Sequence, residues 1–443
     1  MTASPTLPRA EVLERRAKPN GREVLVIGGG AAGLIAAKRA AECGAHVTLL
    51  EKNDRLGMKI LISGGGKCNL THAGTMEEIR ATFRPSEARF LKPAFYRYTN
   101  DDFLDILHAS GMRTYVRPDG RIFPVEPANA KDVVAALEQA VRDAGVRVVT
   151  GAAVSGLVVE DGRIAGVRVG ERVRQAERVI VAVGGSSYPA TGTTGDGWRW
   201  AAEVGHTMVP LRAALAPLYL ERVEADWSGV ALRDVTLRAR VQAGGKEYVR
   251  WRGDLLFTHK GLSGPCALGV SREIAERMAF GLAQGGVLEV DLIPDTSFEA
   301  LQTQIRTELH DSPRKTVGSI VDRYLPDRLT APFMTMAGVE AQTRGAHLAA
   351  KTLNRLVERL KGWPLGGVRS VPLERGEVVA GGVSLEEVDP QTMASRIVRG
   401  LFLCGEILDI AGPVGGYNLQ AAWSTGYVAG EAAAGENSAT KRP

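Results

Sequence analysis

Cysteine is scarce: Cys43, Cys68, Cys266 and Cys404 are the only four in 443 residues, and they are far apart. That spacing excludes a disulfide framework, a CxxC redox pair and a zinc cluster, and leaves reduced, packed thiols as the expectation. The seven histidines show no ligand spacing, so no metal is expected. No run approaches the ~18 apolar residues that cross a bilayer, and residues 1–20 carry charges and prolines without a signal-peptide core. A cytoplasmic protein with no membrane attachment is the expectation, with 1–20 a flexible leader and 436–443 a tail. Aromatic residues are only 6%, and lysine plus arginine (55) exceed aspartate plus glutamate (50) by five without forming a basic block. This argues against nucleic acid as a partner, since a nucleic-acid surface calls for a basic stripe with stacking aromatics.

What is present is ordinary globular usage, 44% hydrophobic and 24% charged, in a chain long enough for two or three domains. Glu23–Ile27 reads as a short buried strand, Ala31–Glu42 as an alanine-rich helix that Gly44 terminates, and His46–Leu50 as the next strand. This βαβ unit predicts a parallel pair and a doubly wound α/β fold.

Within it, Gly28, Gly30 and Gly33 stand in GxGxxG spacing between strand and helix. Gly28 permits the tight turn, Gly30 lets backbone approach a pyrophosphate, and Gly33 lets helix and strand pack closely. Ala31 and Ala32 open the helix, and Glu51, with Lys52 beside it, ends the second strand where an acid binds ribose hydroxyls. The fingerprint alone fits FAD or NAD equally.

Two later segments favour FAD. Val179–Gly185, VIVAVGG, is a strand running into paired glycines and resembles the segment beside the dinucleotide in glutathione-reductase-like flavoproteins, which places Ala182 and Gly184 at the cofactor. Leu401–Glu406, LFLCGE, resembles the flavoprotein segment whose acid binds the ribityl chain, with Glu406 in place of the more usual aspartate and Gly405 before it. No second GxGxxG follows a strand, so a dedicated NAD(P)H domain is not expected; electrons enter from substrate, from transient NAD(P)H binding or from a redox partner.

Further residues are assigned to the same site. Lys59 and the loop Ser63, Gly64, Gly65, Gly66 follow Glu51 closely enough to wrap the pyrophosphate, with backbone amides suited to anionic oxygens. Cys68 and Asn69 lie at the end of that loop, one as a packed thiol or a flavin neighbour, the other as a loop cap or an amide at the flavin edge. Gly415 and Gly416 bring amides to the flavin pyrimidine at the start of the last helix, with Tyr417, Asn418, Leu419 and Gln420 beside them. His259, Lys260 and Tyr417 are the catalytic candidates, the first two in a glycine-bounded loop.

The stretches SGGGKCNLTH (Ser63 to His72), GDLLFTHKGLSGP (Gly253 to Pro265) and GEILDIAGPVGGYNLQAAWSTG (Gly405 to Gly426), with GRIFP and TGTTGDGW, resemble the BaiN-type, aminoacetone-oxidase-like bacterial flavoproteins over nearly the whole chain. The resemblance implies a glutathione-reductase-like FAD-binding Rossmann domain in two pieces, interrupted by a β-barrel-like domain and a small α-helical domain. Our boundaries are 21–200 and 378–435 for the FAD domain, 205–295 and 365–377 for the inserted β domain, and 296–362 for the helical domain. The expected function is an FAD-dependent oxidoreductase moving hydride between flavin and a small organic substrate, by amine oxidation or C=C reduction. The rivals are a fumarate-reductase-like flavin reductase and, from another class, a flavin-containing RNA-binding or non-catalytic redox-sensing protein. Homo-oligomerisation is left open.

Overall fold

A computed structural model describes residues 22–279, 286–312, 314–344 and 348–435, so the leader 1–20 and the tail 436–443 lie outside the described residues. The short apolar runs form a five-stranded, all-parallel sheet in the spatial order Leu401–Leu403, Val179–Val181, Glu23–Ile27, His46–Leu50, Arg147–Val149. The three central strands of this sheet are buried nearly throughout, as expected for a parallel sheet covered on both faces. The strand closest to the C-terminus thus joins the same sheet as the first, two positions away from it.

The helix Ala31–Glu42 starts and stops where the sequence places it. It packs against the closing helix Tyr417–Ala434 at glycine distance: a Cβ on Gly426 would lie 2.3 Å from the Ala32 carbonyl oxygen, and one on Gly430 2.3 Å from that of Ala36. Arg39 adds an ion pair to Glu431 and sits 4.7 Å above the Tyr427 ring. The two ends of the chain are therefore joined backbone to backbone beside the first glycine turn.

Val154–Glu160, Arg163–Val169 and Arg172–Gln175 form a three-stranded antiparallel sheet on the way back to the main sheet. A second small sheet joins Thr71–His72, Arg121–Pro124 and Thr114–Val116. Between these strands lie helices that the sequence did not announce, among them Pro85–Arg97 and Asn100–Ala109.

The inserted strands close into a six-stranded antiparallel barrel: Leu218–Leu220, Gly261–Ser263, Glu247–Thr258, Ala231–Arg240, Val287–Asp291 and Trp363–Ser370. The helices of the segment after the barrel strand Val287–Asp291 share one core with the barrel. Fully buried Trp363 is the pivot, with Trp227 and Phe257 on the barrel side and Phe333 on the helical side at centroid distances of 5.3–6.1 Å. The helix Ala350–Lys361 turns Leu353, Leu356, Val357 and Leu360 into this core.

The chain passes between the two bodies twice, and the passages pair: Met208–Ala214 runs antiparallel to Val378–Val383. Ion pairs dock the barrel's helix Gly264–Ala279 onto the Rossmann body, Arg84 to Glu276 at 2.7 Å and Arg272 to buried Glu87 at 2.7 Å. Among the described residues, no helix is long and apolar enough to cross a membrane.

Candidate functional site

The glycine turn shows which of its residues serve the fold and which serve a ligand. Gly28 has φ +98°, donates its N–H to Leu50 O at 2.8 Å, and leaves no room for a side chain, since a Cβ would lie 2.5 Å from Ala182 O. Gly33 is equally constrained, its would-be Cβ 1.8 Å from Gly28 O. Gly30 is different: its φ is −86° and a Cβ there would meet no protein atom within 4 Å. Neither backbone conformation nor any neighbour requires glycine at that position, so the open space in front of the helix N-terminus fits a pyrophosphate approaching the free N–H groups.

Glu51 accepts from Gly29 N at 2.7 Å and from Asn53 N at 2.8 Å and Asn53 Nδ2 at 2.7 Å. The carboxylate thereby fastens the glycine turn to the end of the second strand while facing the cavity, where its remaining acceptor capacity suits ribose hydroxyls. Lys52 turns aside to Asp196 at 2.7 Å.

A continuous cavity of about 300 Å³ runs from this turn towards the junction with the barrel, a volume within the range of small-molecule and cofactor sites. Midway along it Lys59 pairs with Glu406 at 2.6 Å and donates to Ser187 Oγ at 2.7 Å, while Glu406 also accepts from Val379 N at 3.1 Å. This half-buried cluster ties the helix Met58–Ile62 to the segments that follow the strands Val179–Val181 and Leu401–Leu403, in position to hold a ribityl chain.

At the far end, Gly415 and Gly416 precede the closing helix, and Asn418 clamps their turn through both its amide atoms to Gly412 at 2.8 and 2.9 Å. With its amide oriented to satisfy its neighbours, Asn69 accepts from Gly416 N at 2.8 Å and donates to Thr71 O at 3.1 Å. The loop of Gly64 and the turn of Gly416, nearly 350 residues apart in the chain, are thus bonded to each other.

The cavity brings together Gly28, Gly30, Ala31, Ala32, Glu51, Lys52, Lys59, Ser63, Gly64, Asn69, Ala182, Gly184, Gly405, Glu406, Gly415, Gly416, Asn418 and Leu419. Gly33, Gly65, Gly66, Cys68 and Tyr417 are not in its wall. Cys68 is fully buried behind the loop, and burial pushes its thiol up to about 11. It is a packing residue, and iodoacetamide applied to the native protein at neutral pH is expected to leave it unlabelled, as followed by peptide mass spectrometry. Tyr417 stacks on His72 at 4.6 Å and meets Phe83 edge-on. Gln420 is fully buried, accepting from Thr71 Oγ1 at 2.6 Å.

His259 and Lys260 occupy the exposed tip of a barrel hairpin, with Lys260 Nζ 5.3 Å from the Tyr219 ring centroid, and neither lines the cavity. Leu215, just after the crossing strand Met208–Ala214, lines the cavity at the junction.

Sequence reasoning missed Arg121, Phe123, Tyr188 and Glu377, all in the wall. Arg121 and Phe123 belong to GRIFP, which carried a signal as a motif; Glu377 carried none. Glu377 is exposed by surface area, and its carboxyl lies in the cavity wall. Desolvation by the surrounding cavity wall raises its pKa against the opposing pull of Lys59 and Arg121.

The chain was compared with known proteins. The family model described as HI0933-like protein Rossmann domain matches residues 22–432. A ribosomal RNA dihydrouridine synthase of Haemophilus influenzae is 31% identical over 409 residues, covering 91% of this chain and 96% of that protein. A 3-dehydro-bile acid delta(4,6)-reductase of Clostridium scindens is 31% identical over 414 residues, covering 92% and 98%. A ribosomal RNA dihydrouridine synthase of Escherichia coli is 28% identical over 409 residues, covering 91% and 96%.

Proposed function

The chain belongs to the HI0933-like Rossmann family of FAD-dependent oxidoreductases, and from that premise we propose that it reduces a carbon–carbon double bond conjugated to a carbonyl, with the uracil ring of RNA as the leading substrate. The observation that carries this reading is the chemistry shared by relatives matched almost end to end. Dihydrouridine is uridine with its C5–C6 double bond saturated beside a carbonyl, and a 3-oxo delta(4,6) bile acid presents the same conjugated unit. Both reductions need hydride and a proton, and FAD, when bound, supplies the hydride.

The chain's own part is to hold and orient. The glycine turn and Glu51 retain the adenosine half of the cofactor, the Lys59–Glu406 cluster the middle, and the Gly415–Gly416 turn the flavin end. Arg121, Tyr188 and Glu377 then face the substrate side. The absence of a second glycine fingerprint favours NADH or NADPH binding transiently at the same opening. A uracil would enter unstacked and extruded from its strand. With a net charge of only +5, RNA binding would rest on a few phosphate contacts and carry a shallow salt dependence. This reading departs from the expectation that charge and aromatic content set against nucleic acid.

The test is anaerobic. Holoprotein reduced with NADPH is mixed with unmodified ribosomal RNA, with a 4-en-3-oxo steroid, or with neither, and flavin absorbance is followed. Reoxidation by RNA with a gain of two hydrogens on a uridine is expected. Reoxidation by neither acceptor, or bleaching of the oxidised flavin by simple amines, would contradict the reading.

A further inference from the structure

Glu377 stands at the seam between the two bodies. Its N–H donates to Leu215 O at 3.0 Å, its C=O accepts from Ser187 Oγ at 3.2 Å, and the next residue begins the strand Val378–Val383. Its backbone is thus fixed from both sides of the junction. Its carboxyl, by contrast, has no hydrogen-bond partner among the described residues, although it lies in the wall of the cavity and close enough to Lys59 and Arg121 to feel both charges.

The other groups in that wall able to carry a proton are already engaged. Lys59 is held by Glu406 and Ser187, Asp196 by Lys52 and Thr194, and Arg121 by Asp119. Apart from the fully buried Cys404 thiol, Tyr188 is the exception. It is a non-glycine residue with φ +52° and ψ 63°, half-buried in the wall, and its phenol is pushed up by burial and by the charge of Glu377, with Arg375 opposing. A bulky residue kept in the left-handed region carries a backbone cost of order 1–3 kcal/mol, and such strain clusters at functional sites.

Resting on the reading above, we propose that Glu377 is the proton donor to the substrate and that Tyr188 beside it is a positioning residue. The balance is as follows. Saturating a C=C bond breaks its π bond and forms two C–H bonds. One hydrogen would arrive as hydride with two electrons from the reduced form of FAD held in the cavity, which a reduced nicotinamide would regenerate. The other arrives as a proton on the neighbouring carbon, given by the Glu377 carboxyl and returned to it from solvent through the cavity opening. The raised pKa has the sign this role needs: desolvation in the cavity wall favours the protonated acid, which is the donating form, and the rate should fall as pH rises through the Glu377 pKa.

Glu377→Gln keeps size and shape and removes the acid. In holoprotein, the variant is expected to bind one FAD and to be reduced by NADPH like the parent, while reoxidation by ribosomal RNA or the 4-en-3-oxo steroid slows by roughly 100-fold or more and loses its alkaline decline. Tyr188→Phe should slow the same step less and shift the pH profile without abolishing it. A readout independent of any acceptor is an infrared pH titration of the holoprotein, in which a carboxyl band that titrates above the ordinary glutamate range in the parent should vanish in Glu377→Gln. Reoxidation within about threefold of the parent with an unchanged pH profile overturns the assignment. So does an unchanged carboxyl band. If the parent itself is reoxidised by neither acceptor, the C=C reading fails, and the infrared comparison still decides whether Glu377 holds the proton.

Discussion

Gly30→Ala is expected to give a folded protein that has lost its flavin. A methyl group there meets no protein atom within 4 Å and the backbone is in an ordinary region, so apoprotein stability should change by no more than about 0.5 kcal/mol. The same methyl projects into the space in front of the helix N-terminus, where the pyrophosphate must approach the amides, and FAD affinity should fall by roughly 100-fold or more, about 2.7 kcal/mol. Gly33→Ala is the control with the opposite signature: its Cβ would lie 1.8 Å from Gly28 O, so the turn itself cannot form and stability is lost along with binding. Thermal melts of the two apoproteins, set beside FAD titrations, separate a glycine kept for a ligand from one kept for packing.

Gly426→Val is expected to be the most damaging single change outside the glycine turn. The contact it disrupts is backbone against backbone, 2.3 Å from Ala32 O, so no rotamer relieves it and the closing helix must move away from Ala31–Glu42. Overpacking of a core commonly costs 1–3 kcal/mol. Here the displaced helix also carries the Gly416 turn and the buried residues Trp423, Ser424 and Thr425, so a loss of at least about 3 kcal/mol is expected, read as a lowered melting midpoint or insoluble expression. Gly430→Val should behave alike because it meets Ala36 O at the same distance. Preservation of the parent's melting midpoint in both variants would show that the two helices are free to separate.

These two cases also show what sequence makes legible. The Rossmann turn was readable because three glycines, a strand, a helix and Glu51 are local in sequence, and local geometry dictates their spacing. The helix Ala31–Glu42 was bounded correctly because its start follows the fingerprint and Gly44, at φ +89°, ends it. The inserted β domain was legible from strand alternation in 235–241 and 287–292, whereas its barrel character followed from the family resemblance.

The placement of His259 and Lys260 away from the cavity wall was not legible, because which end of a barrel faces the cavity depends on strand pairings far apart in sequence. Glu377 was silent for a related reason. A lone acid before an apolar strand reads as a surface residue until Leu215 and Ser187 fix it at the seam of two bodies. Asn69 and Asn418 were noticed as polar groups near the flavin, but their amide hydrogen bonds go to backbone, Asn69 to the Gly416 turn and Asn418 to Gly412. They position the amides rather than supply them.

The account stands on an adenine dinucleotide spanning the whole cavity, so the most direct measurement is a calorimetric titration of apoprotein with FAD and, separately, with FMN. FAD should bind one to one, and FMN, which keeps one phosphate but lacks the second phosphate and the adenosine ribose for Glu51, at least about 100-fold more weakly. Folded protein that ignores FAD, or that takes FMN equally well, would contradict it.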